Sequence, residues 1–357
     1  MQKINYALIG FGGIAENRIA KEGFSCDSSR FSPSEFFQLT GAFDLNPDRK
    51  SAVESLGLKW FDNTDAILND PEIQAVFITT NNLSHAPLAT AAMNAGKHVI
   101  VEKPLATTPE DAATLMKLAI TKHLSLSVDH MMVYNQLNVC AKDFIEANKL
   151  GKINDSCFHM EFGYGFDPSE AATWRCSNEL ELGGPIGDVA SHCFYMAEFL
   201  FNDFIEEVAA VYYPKLLDIE VEDGAFIRFK MRSGLTGSIR ASFSDLRGGL
   251  GGTLSNLGYE IYGSEAVLRA FGTMFQLSGY ADEPLPIRLE VDFFKNQDKI
   301  ALADFPSPNI YQGVIDHHAK SILMGTPLCA EEGWRNVRLC YAAHESAQKC
   351  GQWIVIK

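Results

Sequence analysis

The 357-residue chain lacks any cluster of lysine and arginine that would offset its surplus of acid: 30 basic residues against 45 acidic ones leave a formal charge of −15. A surface of that sign repels a phosphate backbone and an anionic bilayer, so neither nucleic acid nor membrane is an expected partner. A bound nucleotide remains compatible, because a pocket can offer backbone N–H groups whatever the overall charge. No uninterrupted apolar stretch is long enough to span a bilayer. The apolar run that follows Lys3 stops at Gly10, too short for a signal-peptide core. The expectation is a cytoplasmic protein. Cysteine pairs are missing too: the eight cysteines are scattered and none stands in a Cys-x-x-Cys pair, so they read as reduced thiols with no disulfide framework. Asp316, His317 and His318 have no matching ligand cluster elsewhere, and no metal site is expected. Hydrophobic residues at 46% and charged residues at 21% exclude a disordered chain. The length exceeds what one core usually organises, which predicts two domains.

The first third alternates short β-rich runs with helical patterns. Strands are predicted at residues 6–9, 36–43, 75–78 and 98–101. Asn46-Pro47 and Thr108-Pro109 each place a capping side chain before a proline whose missing N–H costs nothing at a helix start. Such alternation implies parallel strands with helices on both faces. After about residue 127 the texture changes. A helix is predicted over 137–150, then β-rich runs at 208–213, 225–231, 236–243 and 259–262 without helices between them. Helical patterns return at 314–324 and 334–349, with a closing strand near 353–356. Residues 247–252 read as a Gly-rich loop between strands. The fold class is therefore an α/β N-terminal Rossmann domain over 1–126. A domain of α and β elements with a mostly antiparallel open sheet, for substrate binding and oligomerisation, follows over 127–357. The expected assembly is a homo-oligomer, dimer or tetramer.

Gly10-Phe11-Gly12-Gly13-Ile14-Ala15 fits the dinucleotide fingerprint Gly-x-Gly-x-x-Gly/Ala directly after a strand. Gly10 permits the tight turn, Gly12 lets a pyrophosphate approach the backbone, and Ala15 lets the helix pack on the strand. Asp44 ends the second strand, where a carboxylate accepts from ribose hydroxyls and repels a 2′-phosphate. This favours NAD, with NADP as the alternative. The other reading of Asp44 is a helix cap. Asp44 lies further from the glycine turn than the usual spacing. An insertion around residues 22–34 accounts for the excess and reads as surface elaboration.

Thr80, Asn81 and His85 follow the strand at 75–78, and Glu102-Lys103-Pro104 follows the strand at 98–101. Both thus lie at carboxyl ends, where open α/β sheets bind ligands. Further on come Trp174-Arg175 and the run Gly183-Gly184-Pro185-Ile186-Gly187-Asp188, with His192 four residues beyond Asp188. If that stretch is helical, Asp188 and His192 share a face. Arg175 reads either as a contact to a substrate carboxylate or hydroxyl or as a surface ion pair.

Taken in order, these pieces resemble the Gfo/Idh/MocA family of NAD(P)-dependent oxidoreductases, which includes glucose-fructose oxidoreductase and inositol dehydrogenases. The stretch from Gly333 to Ser346 is similar as well. The resemblance implies that Lys103 is the catalytic lysine, its bond to Pro104 cis, with Asp188 and His192 the other polar residues facing substrate and His192 the acid/base. It implies that Thr80, Asn81, His85 and Glu102 line the nicotinamide side of the cofactor, and that the substrate is a sugar, cyclitol or related polyol oxidised at a secondary alcohol. Trp174 and Arg175 join Lys103, Asp188 and His192 as expected substrate-binding residues. Three departures stand out: Asn81 where many relatives have proline, no arginine in Val133-Tyr134-Asn135, and Pro185 in place of a third glycine. The rival readings are a redox-neutral enzyme that recycles bound NAD, as in the family's glycosidases, and a non-catalytic dinucleotide-binding regulator.

Overall fold

The computed structural model describes residues 3–244, 257–274, 287–295, 297–302 and 309–356. The loop expected at 247–252 lies outside the described residues. The chain forms two compact units, Met1–Tyr134 with Pro308–Val337 and Asn135–Ser307 with Arg338–Lys357.

The first unit is built on six parallel strands: β1 (Ile4–Ile9), β2 (Phe37–Phe43), β3 (Lys59–Trp60), β4 (Ala75–Ile78), β5 (His98–Val101) and β6 (Leu126–Val128). Their order is β3-β2-β1-β4-β5-β6, the doubly wound arrangement that binds ligands where the strand order reverses, beside β1 and β4. Strands buried on both faces carry unbroken apolar runs, as in Ala75-Val76-Phe77-Ile78, all of them buried. Register then sets the site. Ile9 pairs with Ile78, Ile78 with Val101 and Val101 with Val128. The four strands finish level, and Gly10, Thr79, Glu102 and Asp129 form the next row along one rim. The ladder continues into that row, with Thr79, Glu102 and Asp129 N–H donating to the carbonyls of Ile9, Ile78 and Val101 at 2.8–2.9 Å.

The first helix runs through Ala15–Gly23 with a wide, five-residue turn, and the helix Ile310–Leu323 packs against it within the same unit. This corrects the reading of residues 22–34 as surface elaboration. Glu22, Ser25 and Phe24 are buried. The Asn309 amide donates to Glu22 at 3.0 Å, and the Gln312 amide donates to Ser25 Oγ and the Ser32 carbonyl at 3.1 and 2.9 Å. The segment anchors a helix that arrives from far along the chain. Helix Pro109–Lys122 starts as its caps predict, Thr108 Oγ1 accepting from Asp111 N–H. Along it Ala112, Leu115 and Ala119 are buried and Ile120 is 56% exposed.

Among the described residues the second unit holds a nine-stranded sheet: β7 (Ile153–Glu161), β8 (Ile205–Tyr212), β9 (Gly224–Met231), β10 (Thr236–Ser242), β11 (Leu257–Gly263), β12 (Ala266–Phe271), β13 (Arg288–Phe293), β14 (Lys299–Leu302) and β15 (Ile354–Val355). The order is β14-β13-β12-β11-β7-β10-β9-β8-β15. Every pairing is antiparallel except β7 with β10. Burial alternates cleanly along β9, the mark of a sheet covered on one face. Helices Gln136–Glu146 and Ser191–Phe201 pack on each other, and both lie against strands of this sheet.

Candidate active site

The turn after β1 is closed by contacts that only glycine allows. Gly10 has φ +96°, and a Cβ there would stand 2.7 Å from the Thr79 carbonyl oxygen. Thr79 Oγ1 donates back to the Gly10 carbonyl at 2.8 Å, so the turn and the end of β4 are stitched together. At Gly12 and Gly13 the opposite holds: a Cβ would meet nothing within 4 Å. That open ledge lies at the start of a helix, whose first N–H groups have no partner inside the helix and face an anion favourably. Ala15 and Phe11 are buried beneath it, and Ile14 is partly exposed. The residues fit a dinucleotide diphosphate.

Asp44 does two things at once. Its Oδ1 accepts from the N–H of Asn46, the residue that caps the next helix, at 2.8 Å, and its Oδ2 accepts from Phe11 N–H at 2.6 Å, which ties the glycine turn to the end of β2. A carboxylate has about four acceptor sites, so ribose hydroxyls can still be received. Arg49 completes this corner, donating from Nε to the Phe11 carbonyl at 2.7 Å and pairing with Glu16. The sequence reading missed Arg49; no spacing rule marks it.

Along the same rim, Asn81 opens the helix Asn82–Asn94 and its Oδ1 accepts from Ser84 Oγ at 2.6 Å. Thr80 is half-buried. His85 is fully buried, with Nδ1 2.7 Å from the Pro104 carbonyl oxygen and Nε2 3.2 Å from that of Thr80. It joins the loop after β4 to the loop after β5. The Lys103–Pro104 bond is cis, as the motif implies. Glu102 Oε2 accepts from Lys103 N–H at 3.0 Å. Two residues beyond the motifs complete the cluster. Asp129 is fully buried, its carboxyl pushed well above the usual range by burial and by Glu102, with Lys103 opposing. His130 is pushed down to about 3 by burial and by Lys103, so it is neutral.

In the second unit, three glycines shape the approach to Asp188. A Cβ on Gly183 would lie 2.7 Å from the Trp174 carbonyl oxygen, one on Gly184 (φ +82°) 2.3 Å from the Glu222 carboxylate, and one on Gly187 2.1 Å from the Leu182 carbonyl oxygen. Glu222 Oε1 accepts from Ile186 N–H at 2.8 Å and so caps the helical stretch that carries Asp188 and His192. The close packing of Gly183 on the short helix Trp174–Ser177 brings Arg175 to Asp188, Nε to Oδ2 at 3.2 Å. Asp188 holds the Arg175 guanidinium more firmly charged, and the guanidinium lies over the Trp174 ring at 4.7 Å. Arg175 thus meets Asp188, which neither sequence reading named. The stretch from Ile186 to Ala190 is a wide-turned helix, continued by the helix Ser191–Phe201. His192 is buried there, its Nδ1 2.8 Å from Tyr195 Oη. The i, i+3 spacing of His192 and Tyr195 was available in the sequence as a signal for this partner.

A glycine-lined diphosphate ledge and a Glu-Lys-Pro segment on one Rossmann rim, with Asp188 and His192 on a following open-sheet unit, define a dinucleotide-dependent oxidoreductase. The chain belongs to the Gfo/Idh/MocA family. Residues 4–130 match its oxidoreductase model with an NAD-binding Rossmann fold, and residues 139–269 match the Gfo/Idh/MocA C-terminal domain. It is 26% identical over 296 residues to levoglucosan dehydrogenase of Pseudarthrobacter phenanthrenivorans, covering 74% of this chain and 73% of that protein. It is 28% identical over 297 residues to scyllo-inositol 2-dehydrogenase (NADP(+)) of Bacillus subtilis, covering 80% of each. A solved levoglucosan dehydrogenase in complex with NADH and levoglucosan superposes with a TM-score of 0.83 at 23% identity, over 99% of this chain and 100% of that one. The chain is an NAD(P)-dependent dehydrogenase of CH–OH groups. Among the described residues, no helix is long and apolar enough to cross a membrane.

Proposed function

We propose that this enzyme transfers a hydride between NAD(P) and a secondary alcohol of a sugar, cyclitol or related polyol, in the cytoplasm and as a homo-oligomer, dimer or tetramer. Residues 1–126 bind the dinucleotide and residues 127–357 serve substrate binding and assembly. The observation that carries the reading is the level rim of the first sheet. Strand register puts the Gly10 turn, Thr79 and Glu102 in one row, with Lys103 directly after it. The diphosphate is received by the ledge from Gly10 to Ala15 and the adenine ribose by Asp44. Thr80, Asn81 and Glu102 flank the nicotinamide, with His85 fixing the two loops that carry them. Bound NAD(P) supplies the hydride acceptor or donor. In the oxidising direction Lys103 holds the substrate oxygen and His192 takes the hydroxyl proton. Asp188 orients the substrate, with Trp174 and Arg175 beside it; the protein's part is position and charge.

The support is the family membership together with relatives that are sugar and cyclitol dehydrogenases by name. A panel of sugars and cyclitols followed by nicotinamide absorbance, with NAD and NADP in parallel, identifies the substrate. Lys103→Ala should lower turnover on it by about 100-fold or more. Near-normal turnover in that variant rejects the assignment, and substrate consumption without net nicotinamide reduction points to the redox-neutral reading.

A further inference from the structure

The rim of the first sheet holds one buried acid that hydride transfer, as just described, leaves without a task. Asp129 follows β6, and its N–H donates to the Val101 carbonyl at 2.8 Å. Val101 and Val128 are paired, so Glu102 and Asp129 are the next neighbours across the ladder. In a parallel ladder, paired residues send their side chains to the same face. Asp129 is completely buried; among the described residues no N–H or hydroxyl donor meets either of its carboxyl oxygens, and the side chain it meets is the Glu102 carboxyl. An ionised carboxylate cannot rest in such a place, since burying an unpaired charge costs far more than burying the neutral acid.

We propose that Asp129 is a positioning residue for Lys103, acting through Glu102: the two carboxyl groups share one proton, carried by Asp129, and present a single negative charge to the ammonium. The proposal rests on the reading of Lys103 as the group that holds the substrate oxygen. The other titratable groups around Asp129 are neutral. Burial and Lys103 keep His130 unprotonated. The Tyr134 and Tyr311 hydroxyls, from the turn after β6 and from the helix Ile310–Leu323, are pushed upward by burial first. Glu102 and Lys103 act on Asp129 in opposite senses, Glu102 together with burial disfavouring its ionised form and Lys103 opposing, and two carboxyl groups side by side in such a place do not both ionise. A second carboxylate beside Lys103 would give its ammonium a competing partner. With none, the ammonium would lose the partner that orients it. One shared proton gives one compensating charge.

Infrared spectra of the full-length enzyme with NAD bound, at neutral pH, test this directly. A C=O stretching band of a protonated carboxylic acid is expected, and it should vanish in Asp129→Asn. In kinetics, Asp129→Leu should lower kcat by about tenfold or more, the scale of a misplaced catalytic group, with KM for NAD within about twofold. Asp129→Asn, which keeps a neutral donor, should restore kcat to within about threefold and keep the acidic limb of the pH profile in place. Absence of the band, or an Asn variant as impaired as the Leu variant, overturns the proposal. The two ideas fail separately. A band lost in Asp129→Asn while Lys103→Ala stays active leaves the shared proton standing but removes Lys103 from the chemistry.

Discussion

Tyr195 holds the ring of His192, the residue proposed as the acid/base. The Tyr195 hydroxyl engages Nδ1 at 2.8 Å and so fixes the orientation of the imidazole. Tyr195→Phe removes the hydroxyl and keeps the ring, so packing is conserved. The expected outcome is a fall in kcat/KM of about tenfold with a displaced pH profile, and little change in KM for NAD. An unchanged profile would show that the hydroxyl only fills space. Lys103, Asp188 and His192 could be singled out in the sequence because each sits in a short motif next to a recognisable strand or turn. Tyr195, Asp129, Arg49 and the Arg175–Asp188 pair were not, since their partners are fixed by packing. Asp129 in particular carries no motif; only the pairing of β5 with β6 places it beside Glu102.

Among the local elements, the loop from Gly183 to Gly187 is the one whose composition is dictated by close approach. Gly184 has both a left-handed backbone and a carboxylate 2.3 Å from any added Cβ. Gly184→Ala should therefore destabilise the second unit by about 2–3 kcal/mol and weaken the Glu222 cap on the helical stretch bearing Asp188. Urea unfolding followed with turnover checks it; wild-type stability would mean that Glu222 moves aside freely. β1, β4 and β5 of the first sheet were readable because burial on both faces writes them as apolar runs. β7 was not, because Ile153–Glu161 alternates Ser156, Phe158 and Met160 with Asp155, Cys157 and His159, a pattern with few β-branched residues. β3 and β6, at two and three residues, are too short to leave any period.

The whole chain is less sequential than its motifs. The helix Ile310–Leu323 returns to the first unit, where His318 joins a buried network: Tyr6 Oη lies 2.7 Å from its Nδ1, and Nε2 donates to the Ser125 carbonyl at 3.1 Å. Burial first, against that hydrogen bond, pushes His318 down to about 3, so it is neutral in the folded enzyme. Unfolded, the same side chain titrates near its ordinary value of about 6.5 and takes up a proton below it. Its contribution is complete above pH ~6.5 and is lost as pH falls from there toward the folded value, at about 1.4 kcal/mol per pH unit. His318→Gln should flatten the decline of stability between roughly pH 6 and 4.5 by that slope, read from urea unfolding across pH. An unaltered slope would mean that His318 is already protonated in the fold.

The glycine turn, the caps at Thr108 and Asn46, the Glu-Lys-Pro segment and the strand–helix alternation are local, and chain neighbours alone impose them. They were enough for the Rossmann architecture, the dinucleotide and the dehydrogenase chemistry. Folding in three dimensions added what depends on residues far apart: level strand ends, the parallel pairing of β7 with β10, and the anchoring of Ile310–Leu323 by Glu22 and Ser25. It also added the proton state of Asp129. A side chain's charge depends on burial and on the charges facing it, and neither is set by its neighbours in the chain.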